Sequence, residues 1–164
     1  MPPLKPGELR LQVHACGVCR TDLHIVDGEL AAPALPRVPG HEIVGTVVEV
    51  GAGADASSLG RRVGVPWLHS TCGHCAWCES GRENLCPEAR FTGWSVDGGY
   101  ARFAIAPADA VVAVPPNYSD TEAAPLLCAG LIGYRALRML PGARSIGLYG
   151  FGAAAHLVAQ VALA

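Results

Sequence analysis

The sequence has no block of like charge, no apolar run of 18 residues and few aromatics. Phe, Trp and Tyr together make up 6% of its 164 residues. Charged residues reach only 16%, with 12 Lys and Arg against 14 Asp and Glu, a formal charge of -2. Without a basic footprint a nucleic-acid partner is not expected. Without a long apolar run neither is a membrane span. The start, Met1-Pro-Pro and then polar residues, lacks the apolar core of a secretory signal. What is plentiful is apolar material (51%), glycine (20), proline (13) and cysteine (7). That composition suits a packed core of short strands and many turns. An odd cysteine count with four crowded between Cys72 and Cys86 reads as metal binding in a cytoplasmic protein, not as a disulfide scaffold.

Strand formers alternate over Glu8 to Ala15, and a second strand is expected over Ile43 to Val50, closed by a turn at Gly51 to Gly53. Cys16 to His24 reads as a compact loop or short helical turn, and Pro33 to Pro39 as a proline-rich loop. Arg62 to Val65 reads as short and extended, and Gly99 to Ile105 and Val111 to Val114 as further short strands. Leu68 to Pro87 is expected to be an irregular loop needing a staple. Short strands and glycine turns suggest a small, mostly β, barrel-type antiparallel domain over residues 1-115. The character changes at Pro115-Pro116. Ser119 to Glu122 matches a capping box, with helical signals continuing to Leu140. Ser145 to Tyr149 reads as a short buried strand, Gly150 to Ala153 as a turn, and Ala154 to Ala164 as a helix. Residues 116-164 are thus expected to hold linking helices and one β-turn-α unit.

Cys72, Cys75, Cys78 and Cys86, within the loop 69-88, have the spacing C-x2-C-x2-C-x7-C. Four thiolates can close around one tetrahedral Zn²⁺ at about 2.3 Å and leave no position for water, which makes the site structural. Ordinary buried cysteines and an iron–sulfur cluster are the alternatives. His69 and His74 flank the loop and read as surface or supporting residues. Cys19, His41 and the distant Cys128 could form a Cys₂His site with an open fourth position, although spacing alone does not bring them together. Cys128 taken alone reads as core packing. Cys16 could replace Cys19 as ligand, but reads more simply as a buried thiol. Gly150-Phe-Gly-Ala-Ala-Ala155 fits G-x-G-x-x-A, the fingerprint of a dinucleotide-binding turn. There Gly150 turns the chain, Gly152 admits the pyrophosphate, Ala155 allows close packing, and Ala153 between them counts with the cofactor-binding residues.

CGVCRTDLH at Cys16 to His24, PGHEIVGTV at Pro39 to Val47, CGHCAWCESGRENLC at Cys72 to Cys86, VDGGYA at Val96 to Ala101, EAAPLLCAG at Glu122 to Gly130 and LYGFGAAA at Leu148 to Ala155 stand in one order. In that order they resemble the zinc-dependent medium-chain alcohol dehydrogenases. The resemblance implies a GroES-like catalytic barrel followed by the first unit of a Rossmann domain, shortened at both ends. It implies a catalytic zinc on Cys19, His41 and Cys128 and a structural zinc on Cys72, Cys75, Cys78 and Cys86. Asp22 would orient His41, and Glu42 would ligate transiently. Thr21 would accept the substrate proton and His24 would pass it on. Arg20 would face the pyrophosphate of a nicotinamide cofactor, NAD ahead of NADP. Trp67 would shape a pocket for a small primary or secondary alcohol or the matching aldehyde. Trp67 and Trp94 also fit ordinary core packing, and His14 and His156 read as structural or exposed. An intact enzyme would be a homo-oligomer. The competing expectations are a non-catalytic zinc-binding fragment without a competent cofactor domain, and a polyol or cinnamyl-type dehydrogenase.

Overall fold

The structure, a computed structural model, describes residues 2-164. Its centre is an antiparallel sheet of five strands: β1 (Glu8–Cys16), β2 (Ile43–Val50), β3 (Arg62–Val65), β6 (Phe103–Pro107) and β7 (Val112–Ala113). They lie in the order β6-β1-β2-β3-β7. A separate hairpin pairs β4 (Leu68–Ser70) with β5 (Arg90–Phe91). The inward residues of the central sheet, Leu9, Leu11, Ile43, Val47, Val63, Val65 and Ala106, are all but fully buried. Each large aliphatic side chain so buried contributes roughly 1.5–3 kcal/mol of transfer free energy.

The expected barrel does not form, because among the described residues no sheet closes on itself. Closure needs two edge strands long enough to pair with each other. Here β7 offers only Val112 and Ala113 and runs into Pro115-Pro116, while β6 ends at Pro107. Proline carries no N–H for a ladder, so both edges stop where a closing strand would have to bind. The strand expected from Gly99 begins later, at Phe103. The N–H groups of Gly98, Gly99 and Tyr100 donate instead to the carbonyls of Val38, Gly40 and Pro39, at 2.7, 2.8 and 3.1 Å. Gly40 has φ of 96°, a conformation that costs glycine least. A Cβ on Gly98 would lie 2.0 Å from the Gly40 carbonyl oxygen.

The β1–β2 ladder runs to Cys16 opposite Ile43, with register shifts between Arg10 and Leu11 and between Val13 and Ala15. Such bulges bend a strand and re-aim its side chains. The ladder's end places the chain leaving β1 beside the chain entering β2, where Gly17 N–H donates to the Glu42 carbonyl at 3.0 Å. Helix α1 (Arg20–Val26) starts at once, with Cys19 as its N-cap.

The loop expected to be wholly irregular carries β4, the single helical turn α2 (Ala76–Glu79) and a 3₁₀ turn over Glu83–Leu85. Beyond the sheet, Ser119 caps α3 (Asp120–Ala123) through the expected capping box. A 3₁₀ turn over Ala124–Leu127 then leads through Cys128 into α4 (Ala129–Arg138). Leu127 lies over β3, where a Cβ on Gly64 would come within 2.7 Å of its Cδ2. Helix α5 (Ala153–Leu163) packs on α4, with Val158 against Gly133. The strand expected at Ser145 to Tyr149 is absent. Among the described residues nothing pairs with this stretch, and Leu148 and Tyr149 are exposed. A strand exists through its ladder, so an apolar pattern without a partner stays coil. No helix among the described residues is long and apolar enough to cross a membrane.

Candidate metal centres

Cys19, His41, Glu42 and Cys128 each present a ligand atom, and these atoms all lie within 4.8 Å of one another. Three elements bring them together: the N-cap of α1, the approach to β2, and the junction before α4. His41 is fully buried, and its Nε2 has no hydrogen-bond partner among the described residues. A buried, unpartnered imidazole nitrogen is costly in an apolar setting. Two thiols and a carboxylate beside it make a donor set that fits Zn²⁺.

The other ring nitrogen is accounted for. His41 Nδ1 lies 3.0 Å from Asp22 Oδ1, which also accepts from Gly40 N–H at 3.0 Å. Asp22 Oδ2 accepts from Cys19 N–H and lies 2.9 Å from the Tyr100 hydroxyl. One buried carboxylate therefore caps α1 and orients the imidazole with Nδ1–H toward itself and Nε2 toward the thiols. Burial alone would raise the Asp22 pKa, yet its bonds to His41 and Cys19 hold it below the usual carboxylate value. Burial alone would lower His41, but Asp22 and the neighbouring Cys128 push it up to about 10 in the metal-free protein. Burial dominates at Glu42 and at Cys128, raising both. For Cys19, contacts with Thr21 and His41 outweigh burial and lower the thiol.

Thr21 Oγ1 lies 3.8 Å from Cys19 Sγ. His24, half-exposed, pairs through Nδ1 with Glu29. Trp67 is edge-on to the His41 ring at 4.8 Å and stacked on Phe91 at 4.9 Å. It lines an open cleft of about 920 Å³ together with Phe91, Leu127, Cys128 and Leu131. Trp94 donates to the Ala31 carbonyl at 3.0 Å.

The second cluster is Cys72, Cys75, Cys78 and Cys86, all free thiols. Their Sγ atoms are 3.6 Å apart for Cys75–Cys78 and Cys72–Cys86, and 3.9 Å for Cys72–Cys78. A tetrahedron with arms of about 2.3 Å has edges of about 3.8 Å, so four sulfurs at this spacing fit one zinc, whereas a disulfide needs about 2.05 Å. Cys78 is lowered to about 7, chiefly by the Thr71 side chain. His74 lies 2.8 Å from the Cys72 carbonyl through Nδ1, at the surface. His69, expected at the surface or in support, is buried.

The remaining expected residues stand apart. Arg20 is exposed and makes no hydrogen bond or ion pair among the described residues. Gly150 has φ of 88°, Gly152 caps α5, and Ala153 and Ala155 lie in its first turn. The turn and helix of the fingerprint are present without their strand. Cys16 is a part-buried thiol raised to about 11 by burial. No spacing signal reveals Glu29, which pairs with His24 from five positions further along the chain, or Tyr100, which meets Asp22 only through the fold.

Residues 5–116 match the family model described as the alcohol dehydrogenase GroES-like domain. A curated relative, a probable alcohol dehydrogenase AdhA of Mycobacterium tuberculosis, is 54% identical over 172 residues, covering 100% of this chain and 49% of the relative. A cinnamyl alcohol dehydrogenase from Sorghum bicolor superposes with a TM-score of 0.86 at 34% identity, over 96% of this chain and 48% of that one. A cobalt- and zinc-bound thermostable alcohol dehydrogenase from Pyrobaculum aerophilum gives 0.84 at 31%, over 99% and 50%. The chain spans about half the length of these proteins.

Proposed function

The chain belongs to the zinc-binding medium-chain alcohol dehydrogenase family, and on that premise we propose that it forms the metal-holding, substrate-side part of an alcohol dehydrogenase. By itself it binds zinc at two centres and turns over alcohol negligibly. The observation that carries this reading is the unpartnered Nε2 of His41, facing two thiols and the Glu42 carboxylate. The reading of negligible turnover rests on Ser145 to Tyr149, which forms no strand for a cofactor sheet.

Zinc held by Cys19, His41 and Cys128 would supply Lewis-acid polarisation of an alcohol or carbonyl oxygen. Asp22 keeps the His41 tautomer fixed. Glu42, whose carboxylate lies among the same ligand atoms, would be an alternative ligand to the metal. Thr21 takes up the substrate hydroxyl proton, and His24 hands it to solvent, its Nδ1 held by Glu29 so that Nε2 is free to accept. Arg20 and the N-terminus of α5, through Gly150, Gly152, Ala153 and Ala155, bind the pyrophosphate of a nicotinamide cofactor, NAD ahead of NADP. Cys72, Cys75, Cys78 and Cys86 hold a second zinc that staples their loop. The completed enzyme is a cytoplasmic homo-oligomer.

The substrate is a small primary or secondary alcohol, with Trp67 closing the pocket over His41. A cinnamyl-type substrate is the second reading. It is favoured by the likeness to the Sorghum bicolor enzyme and by a cleft of about 920 Å³ walled by stacked Trp67 and Phe91. Metal analysis of this chain, with an assay on ethanol and cinnamyl alcohol with NAD⁺ or NADP⁺, tests the proposal. Two zinc ions and no turnover are expected. One ion or none would refute the metal assignment, and robust turnover would refute the reading of an inert half.

A further inference from the structure

Among the described residues, Tyr100 is the one donor to Asp22 that lies outside the segment Cys19–His41. Its hydroxyl is 2.9 Å from Asp22 Oδ2 and 3.1 Å from the Gly17 carbonyl, so two acceptors share one proton. Gly17 sits in the turn that leads to Cys19. Asp22 binds the Cys19 N–H and the His41 ring. The hydroxyl therefore joins the backbone ahead of one proposed ligand to the carboxylate that sets the tautomer of another. The position of the ring is fixed too. Tyr100 N–H donates to the Pro39 carbonyl at 3.1 Å, and a Cβ on Gly40 would meet the Tyr100 ring at 2.8 Å.

Of the four donors to Asp22 among the described residues, two belong to proposed ligands, Cys19 N–H and His41 Nδ1–H, and a third, Gly40 N–H, precedes His41 directly. Without Tyr100, Oδ2 would keep one donor and could rotate away from its place above the Gly17 turn. A hydrogen bond to a buried carboxylate is stronger than a neutral one, and partners of this kind orient metal-binding imidazoles.

We propose that Tyr100 is a positioning residue for the Cys19–His41–Cys128 centre, holding the Asp22 carboxylate against both Gly17 and His41 through its hydroxyl. This rests on the metal reading above. It assigns no contact of Tyr100 with substrate or metal.

The test compares the full chain with Tyr100→Phe, which keeps the ring and removes only the hydroxyl, in wild-type and Asp22→Asn backgrounds. Zinc retention against a chelator and the cobalt(II) absorption spectrum are read for each. Outer partners of metal-binding histidines are worth roughly 10- to 100-fold in affinity. One bond further out, Tyr100→Phe is expected to weaken the three-residue centre roughly 3- to 10-fold and to alter its cobalt spectrum. The four-thiolate centre should stay loaded, which serves as the control for folding. In the Asp22→Asn background the hydroxyl should matter less than about twofold. An unchanged affinity and spectrum would overturn the proposal, and so would an equal effect with and without the Asp22 carboxylate. A second readout stands apart from the metal. In metal-free protein, exchange of the His41 Nδ1 proton should quicken several-fold in Tyr100→Phe. If wild-type protein does not load this centre, the metal reading fails by itself, and the exchange rate still decides the role of Tyr100.

Discussion

Replacing Asp22 by Asn changes almost no volume, so its effect isolates the carboxylate. In the native protein Oδ1 faces Gly40 N–H and His41 Nδ1, and Oδ2 faces Cys19 N–H and the Tyr100 hydroxyl. An amide presents one acceptor oxygen and one NH₂ group. Its best orientation keeps oxygen toward Gly40 and His41, because the Tyr100 hydroxyl can turn its proton to the Gly17 carbonyl and accept from the new NH₂. Cys19 N–H then faces a donor. One buried donor left unsatisfied costs about 1–3 kcal/mol, and the remaining bonds fall from charged to neutral strength. Together these give an expected loss of about 2–5 kcal/mol in the metal-free protein. The pH dependence follows the same groups. His41 is raised from 6.5 to about 10 in the fold, so its contribution is full below 6.5 and is lost as pH rises through about 10. Asp22 is lowered below 3.8, so its contribution is present above 3.8 and is lost as pH falls through the depressed value. The gap between wild type and Asp22→Asn should therefore be widest between about pH 4 and 6.5. Urea denaturation of both proteins, metal-free, from pH 3 to 10 measures it. A gap under about 0.5 kcal/mol at pH 6, or one that widens toward pH 10, would refute the reasoning.

Cys86→Ser should remove one zinc ion, leave the ion at Cys19, His41 and Cys128, and open residues 72–86 to proteolysis; metal analysis and a protease time course check both. Gly64→Ala sets a methyl about 2.7 Å from Leu127, which is overpacking of the kind that costs roughly 1–3 kcal/mol. Since Leu127 precedes Cys128, metal affinity at that centre should fall as well, and thermal melts with and without zinc separate the two effects. Trp67→Ala deletes the packing on His41 and Phe91. It should cost about 2–4 kcal/mol in urea and weaken binding of an aromatic alcohol measured by calorimetry.

The legible parts of the sequence were those whose signal is local. Strand β1 falls where alternation over Glu8 to Ala15 placed it, β2 spans the expected Ile43 to Val50, and Ser119 forms its capping box with Glu122. The four-cysteine spacing predicted a single cluster, and the sulfurs do converge. Cys19, His41 and Cys128 could be joined only through family resemblance, because their meeting depends on the β1–β2 register and on Leu127 seating over Gly64. Barrel closure and the strand at Ser145 to Tyr149 were misread for a related reason. A run of strand-forming residues states a preference, but hydrogen bonds between distant segments decide whether a strand forms and what it pairs with. Tyr100 lies within the run Val96 to Ala101, yet its role needs the bonds of residues 98–100 to residues 38–40, which no periodicity reveals.

The shifted register between Val13 and Ala15 has a consequence for how the chain folds. Cys19 and His41 are neighbours only because Cys16 stands opposite Ile43. A slip of one residue would turn the inward faces of β1 outward and carry the two ligands apart. A metal that binds only the correctly paired chain adds its binding free energy to that pairing alone. Zinc would then select between sheet alignments as well as serve chemistry. The connection from Asp27 to Pro39 would be free to change length between relatives, since the ladder, not the loop, measures the distance between the ligands.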